Sequence, residues 1–209
     1  VSNITLNTAQ QNVADVSKNG SITAYDASMI LQYNVGLIAV FMPSPNMMLR
    51  NVPESNLQTD IALAKIQPTQ KSGQFTIPVL LTTADQIKSL EMKYSFNPEH
   101  IKLISINADK LNPNITLAQS TLTDNGSLSL SMASAYDLAL NQDTIYMVFQ
   151  LKNSQIKESN FNLINAIANE TPVVSSTSNI SIGSEVITGY ETVNADKPIN
   201  VWVDADNIN

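Results

Sequence analysis

From residue 60 onward the chain alternates apolar and polar residues with a period of two, and this alternation constrains the fold more than any other feature. The clearest run is Ser127-Leu128-Ser129-Leu130-Ser131-Met132. A period of two places successive side chains on opposite faces of an extended strand, so one face is buried and the other is wet. Similar segments cover residues 60–67, 74–83, 87–96, 101–108, 127–135, 144–152 and 160–168, with further candidates at 179–189 and 198–204. Turn-forming residues separate them, notably Asp124-Asn125-Gly126 and Asn97-Pro98. Short strands with no long helix between them predict a mainly β fold: a nine-stranded antiparallel jelly-roll sandwich rather than a parallel sheet.

The N-terminal part follows another logic. Residues 1–12 are polar and lack a clear period, which suits an approach segment ending in a short helical turn. Between Asp15 and Asp26 the run D-V-S-K-N-G-S-I-T-A-Y-D places oxygen side chains at loop positions one, three, five and twelve: Asp15, Ser17, Asn19 and Asp26. This is the spacing with which an EF-hand loop wraps Ca²⁺. Gly20 stands where the loop turns sharply, Ser21 where a main-chain carbonyl joins the ligands, and Thr23 where a side chain or its water does. Ile22 is expected to anchor the loop to a neighbouring core. Only Asp15 and Asp26 are carboxylates, so affinity in the range of ~10⁻⁵ to 10⁻³ M is expected. An Asx-rich turn followed by a helix capped by Asp26 is the competing explanation of the same residues.

After the loop, Ala27, Ile30, Leu31 and Tyr33 fall near helical spacing, and Gly36 follows as a C-cap. Pro43, Pro45 and Pro53 then punctuate a linker. The expected organisation is a small α EF-hand-like loop–helix module over residues 1–42, a linker over 43–58 and the β-sandwich over 59–209. Leu37, Ile38, Val40 and Phe41 are apolar residues through which the module would lie against the β domain.

Composition narrows the function classes. A net charge of −7, from 11 Lys plus Arg against 18 Asp plus Glu, lacks the basic footprint of a nucleic-acid binder. With no Cys, disulfides, thiolate metal sites and Cys nucleophiles are excluded. The one histidine, His100, follows Asn97-Pro98-Glu99 and is expected as a solvated turn residue with no triad to join. Glu91, Glu99, Asp109, Asp124, Asp137 and Asp143 are scattered, without the context of a glycosidase pair. No enzyme activity is therefore expected. Trp202 could stack on a sugar ring, but aromatic residues make up only 6% of the chain. The tail from Asp204 to Asn209 lacks the glycine and closing acid of a second cation loop. No apolar run approaches the ~18 residues that span a bilayer, and the start at Val1 without a leader pattern suggests a piece of a longer protein.

The stretch DVSKNGSITAYDASMILQYNVGLI resembles a dockerin repeat, on the strength of the closing Asp26, the Asp26-Ala27 pair and the Ile30-Leu31 pair. Dockerins carry two such repeats in tandem, whereas one is found here. The run Thr5 to Gln11 looks like the linker that precedes a second repeat. The resemblance implies that Ala24 and Tyr25, at loop positions ten and eleven, help select a protein partner. The β region is similar to a cohesin from Gly73 to Ile106, with Pro78-Val79 and the Tyr94 to Pro98 turn, and again over residues 143–152. Together these resemblances imply a non-catalytic, Ca²⁺-binding assembly module, secreted or at the surface of a bacterium, whose partner bears a dockerin or a cohesin. A carbohydrate-binding sandwich appended to a secreted glycoside hydrolase is the alternative.

Overall fold

A computed structural model describes residues 5–41, 59–69, 71, 73–84, 86–122, 125–153, 156, 158–173, 175 and 178–183. The linker expected over 43–58, the strand candidate at 198–204, Trp202 and the tail to Asn209 lie outside the described residues. The order is α1 (Thr8–Ala14), α2 (Ala24–Asn34), β1 (Asp60–Leu63), β2 (Gln67–Pro68), β3 (Gln74–Thr82), β4 (Ser89–Phe96), β5 (Ile101–Asn107), β6 (Thr116–Leu122), β7 (Ser127–Ala133), β8 (Asn141–Leu151), β9 (Glu158–Ala168), β10 (Thr171–Pro172) and β11 (Asn179–Gly183).

Two antiparallel sheets result. One runs β1-β3-β8-β5, with β2 also on β3; the other runs β10-β9-β4-β7-β6, with β11 also on β9. Setting aside the two-residue strands β2 and β10, nine strands remain among the described residues. The alternation read from the sequence becomes the partition between core and surface: Leu128, Leu130 and Met132 are fully buried, while the serines between them are not. The strand missed by the periodicity is β6. Thr116-Leu117-Ala118-Gln119-Ser120-Thr121-Leu122 does not alternate, and its position comes from pairing with β7, Thr116 opposite Ala133 through Leu122 opposite Ser127.

The sheets meet through aromatic side chains. Phe149 of β8 packs edge-on against Phe161 of β9, with ring centroids 5.3 Å apart, and Phe96 of β4 packs edge-on against Phe149 at 5.5 Å. Tyr94 stacks on Phe161 at 5.2 Å. Its hydroxyl lies in this apolar interior against the Met92 sulfur at 3.1 Å, and burial pushes its pKa well up. These contacts join both inner faces into one core.

The chain reverses at Gly126 before β7, where φ is +64°. A Cβ there would meet the Phe96 carbonyl oxygen at 1.9 Å, and the same approach lets the Phe96 amide donate to the Gly126 carbonyl at 2.9 Å. Only glycine fits both demands.

Candidate metal centre

The segment from Asp15 to Asp26 follows α1 and runs into the first turn of α2. α1 is a two-turn helix rather than a single turn, fixed by a reciprocal capping box between Asn7 and Gln10. The backbone then turns left-handed at Lys18 (φ +58°) and Gly20 (φ +88°), so the chain curls around its own polar side chains. Asp15 accepts from the Asn19 amide at 3.1 Å and the Gly20 amide at 3.0 Å, and Asn19 Oδ1 accepts from the Ser21 amide at 2.7 Å.

Asp26 has a second task. Its Oδ1 accepts from the Ser17 amide at 2.9 Å, and its Oδ2 from the Thr23 amide at 2.8 Å and the Thr23 hydroxyl at 3.1 Å. It sits at the third position of α2, whose N-cap is Thr23. The helix therefore starts at Ala24, three residues before the apolar spacing announced it, because polar capping defines the first turn and periodicity does not register it. Asp26 is 1% exposed and ties loop, helix and turn together.

The β-sandwich reaches into this module at three points. Glu91 of β4 accepts from the Ala24 amide, at the N-terminus of α2 where a negative charge is favoured. The Ser28 hydroxyl donates to the Ser134 carbonyl at 2.8 Å in a fully buried contact. Glu170, between β9 and β10, accepts from the Asn19 side-chain amide, and its Oε1 lies 3.4 Å from the Ser17 hydroxyl. α2 thus packs on β4 and β7, where small residues, among them Ser89, Ala133 and Ser134, leave room for a helix.

The oxygens around Ser17 test whether a cation fits. Ser17 is fully buried, and its hydroxyl oxygen stands 3.4 Å from Asp15 Oδ1 and 3.4 Å from Glu170 Oε1. A hydroxyl has one proton, so it serves only one of these acceptors at a time. Oxygens bonded to one Ca²⁺ at ~2.4 Å and at right angles to each other stand ~3.4 Å apart. The near side of the loop therefore suits a hard cation. Among the described residues no three carboxylate, imidazole or thiolate groups gather closely enough to hold an ion by themselves. Hydroxyl, amide and main-chain oxygens would have to complete the set, which is the chemistry Ca²⁺ accepts.

The other expected residues fall as follows. Ser21 is exposed and Thr23 half-buried. Ala24 is buried beside Glu91, and Tyr25 lines a cleft with Gln32, Gln86, Lys88 and Asn169. Ile22 is 47% exposed rather than anchored; a single loop has no twin loop with which to pair a short strand. The apolar run after α2 is not the docking surface. Leu37, Val40 and Phe41 are exposed and Ile38 is half-buried; the module meets the sandwich through Ala24 and Ser28 of α2 instead. Phe41 instead folds back on Tyr33, ring centroids 5.0 Å apart.

His100 departs from the solvated turn residue expected. It is half-buried, and its Nδ1 is sealed without a hydrogen bond, as is the Ser159 hydroxyl; both line a cleft with Ser95, Asn97, Asn160 and Asn162. Asp137 pairs with Lys88 at 2.9 Å, and this hydrogen bond holds its carboxyl below the usual range. Asp143 accepts from the Asn141 amide and Asp109 from the Asn107 side chain. Sequence reasoning missed Glu91 and Glu170 as members of the site, since neither stands near the loop in the chain.

No family model matches the sequence, and neither does any curated protein. Among solved structures the chain is similar to the cohesin module of a Clostridium perfringens family 33 glycoside hydrolase, at 13% identity over 61% of this chain and 97% of that one, with a TM-score of 0.48. It is similar also to the sixth cohesin of scaffoldin B from Acetivibrio cellulolyticus, solved in complex with a dockerin, at 14% identity over 62% and 99%, TM-score 0.46. A third is a non-cellulosomal cohesin from the archaeon Archaeoglobus fulgidus, at 14% identity over 59% and 88%, TM-score 0.46.

Proposed function

We propose that this chain is a non-catalytic protein-binding module of an extracellular bacterial assembly, with a structural Ca²⁺ held by Asp15, Ser17, Asn19, the Ser21 carbonyl, Thr23 and Asp26. The observation that carries the metal reading is the buried Ser17 hydroxyl oxygen with Asp15 Oδ1 and Glu170 Oε1 each 3.4 Å away, the spacing of neighbouring oxygens on one Ca²⁺. Bound there, Ca²⁺ supplies positive charge that these oxygens share; it performs no reaction. Titration calorimetry on the whole chain tests this. We expect one site in the range of ~10⁻⁵ to 10⁻³ M or tighter, and a flat titration with an unchanged melting curve in chelator overturns it.

The protein-binding part rests on the sequence resemblance to dockerin and cohesin modules and on an uncovered apolar surface. Val13, Ile30, Tyr33, Val35, Leu37 and Val40 are exposed on the module. Exposed apolar residues in such number on a small module favour an interaction surface. A dockerin- or cohesin-bearing protein is the partner this reading names. Binding of the Ca²⁺-loaded chain to immobilised modules of both kinds tests it, and retention by neither defeats it. No helix among the described residues is long and apolar enough to cross a membrane.

Glycan binding is the second reading, favoured by one observation. A cleft of about 470 Å³ is lined by His100, Ser95, Asn97, Asn160 and Asn162, polar residues suited to sugar hydroxyls. Retention on insoluble polysaccharide that is lost in Asn160→Ala favours it; no retention leaves the protein-binding reading.

A further inference from the structure

The turn joining β9 to β10 has two central residues, Asn169 and Glu170, between the paired Ala168 and Thr171. Both are left-handed, with φ of +42° and +66°. Two-residue turns of this hand favour Asn-Gly, and a Glu at the second position is strained. The turn is nevertheless firmly held. Asn169 Oδ1 accepts from the Lys88 amide at 3.0 Å and the Ser89 amide at 3.1 Å, and its Nδ2 donates to the Gln86 carbonyl at 2.8 Å. From this held turn the Glu170 side chain reaches Ser17 and Asn19, 153 and 151 residues away in sequence.

We propose that Glu170 is a ligand of the same Ca²⁺ as the Asp15–Asp26 loop, so that the ion is held jointly by the N-terminal module and the β-sandwich. This rests on the Ca²⁺ reading above. Glu170 places a carboxylate oxygen 3.4 Å from the Ser17 hydroxyl, the same distance at which Asp15 Oδ1 stands, and would be a seventh ligand within the ~6 to 8 that Ca²⁺ takes. It also relieves the weakness of the loop, whose closing Asp26 is already engaged by three donors. The ion then strengthens the tie between loop and sandwich that Glu170 already makes to Ser17 and Asn19, beside the contacts at Glu91 and Ser134.

The test uses the whole chain with CaCl₂ as the probe, comparing wild type, Glu170→Gln and Glu170→Gly by calorimetry and by melting with and without chelator. Glu170→Gln should weaken Ca²⁺ binding at least tenfold. Glu170→Gly should weaken it similarly while raising the metal-free melting temperature, since glycine relieves the left-handed turn. In wild type, Ca²⁺ should slow hydrogen exchange at the Asn169 to Thr171 amides, and in Glu170→Gln it should not. If wild type binds Ca²⁺ but Glu170→Gln binds it within twofold of wild type, Glu170 is not a ligand and the loop site stands alone. If wild type binds no Ca²⁺, the metal reading itself fails. A lower metal-free melting temperature in Glu170→Gly with unchanged Ca²⁺ affinity is the signature of a purely structural contact, and it too overturns the proposal.

Discussion

At the scale of single residues the strongest constraints are steric and solvation effects on named atoms. Gly126→Ala drives a Cβ into the Phe96 carbonyl oxygen at a left-handed position. It should destabilise the chain by roughly 2 kcal/mol or more, measured by denaturant unfolding. Tyr94→Phe tests the opposite case, a buried hydroxyl whose partner is a thioether, a weak acceptor. Its removal should change stability by under about 1 kcal/mol at neutral pH. The Tyr94 pKa is raised in the folded state, so its contribution is complete below the unfolded value of ~10 and falls as pH rises beyond it. Wild type should therefore lose stability above pH ~10 more steeply than Tyr94→Phe. Asp137 has the reverse sign: its lowered pKa means that the Lys88 pair contributes above the ordinary carboxylate range and is lost in acid. Both partners are partly exposed, so Asp137→Asn should cost only a few tenths of a kcal/mol, less still in high salt.

At the scale of elements, what was legible in the sequence depended on whether an element's cause is local. The Ser127 to Met132 alternation needs no knowledge of a partner, and β7 is where it predicted. So too with Gly20, which falls at the loop's sharp turn. β6 has no such pattern and exists because β7 offers an edge. The docking of α2 was legible only in part. An apolar run after the helix suggested contact with the β domain, yet the contact runs through Glu91, Ser28 and Ser134, and single polar residues in distant segments leave no periodic trace. Glu170 left one faint signal, as a Glu after Asn where a tight hairpin prefers Gly. Ser28→Ala leaves the buried Ser134 carbonyl without its donor and should cost about 1 to 2 kcal/mol, seen as faster hydrogen exchange across α2 with the core strands unaffected.

For the whole molecule, the aromatic contacts between the sheets set global stability, whereas the N-terminal module is held by polar contacts and a small buried apolar set that includes Ala24 and Met29. Phe149, stacked on Phe75 and set edge-on to Phe96 and Phe161, belongs to the first class. Phe149→Ala should cost about 3 to 5 kcal/mol and lower the single main transition. The contacts at Ser17 and Asn19 belong to the second class, and their reach along the chain bears on synthesis. The loop at Asp15 leaves the ribosome some 150 residues ahead of Glu170, and at translation rates of ~5–20 residues per second that is a delay of roughly 8 to 30 seconds. Throughout it the nascent loop and helix have no sandwich to lie on, and their apolar surface is open to chaperones and to other copies. The module emerges first and reaches its final place last.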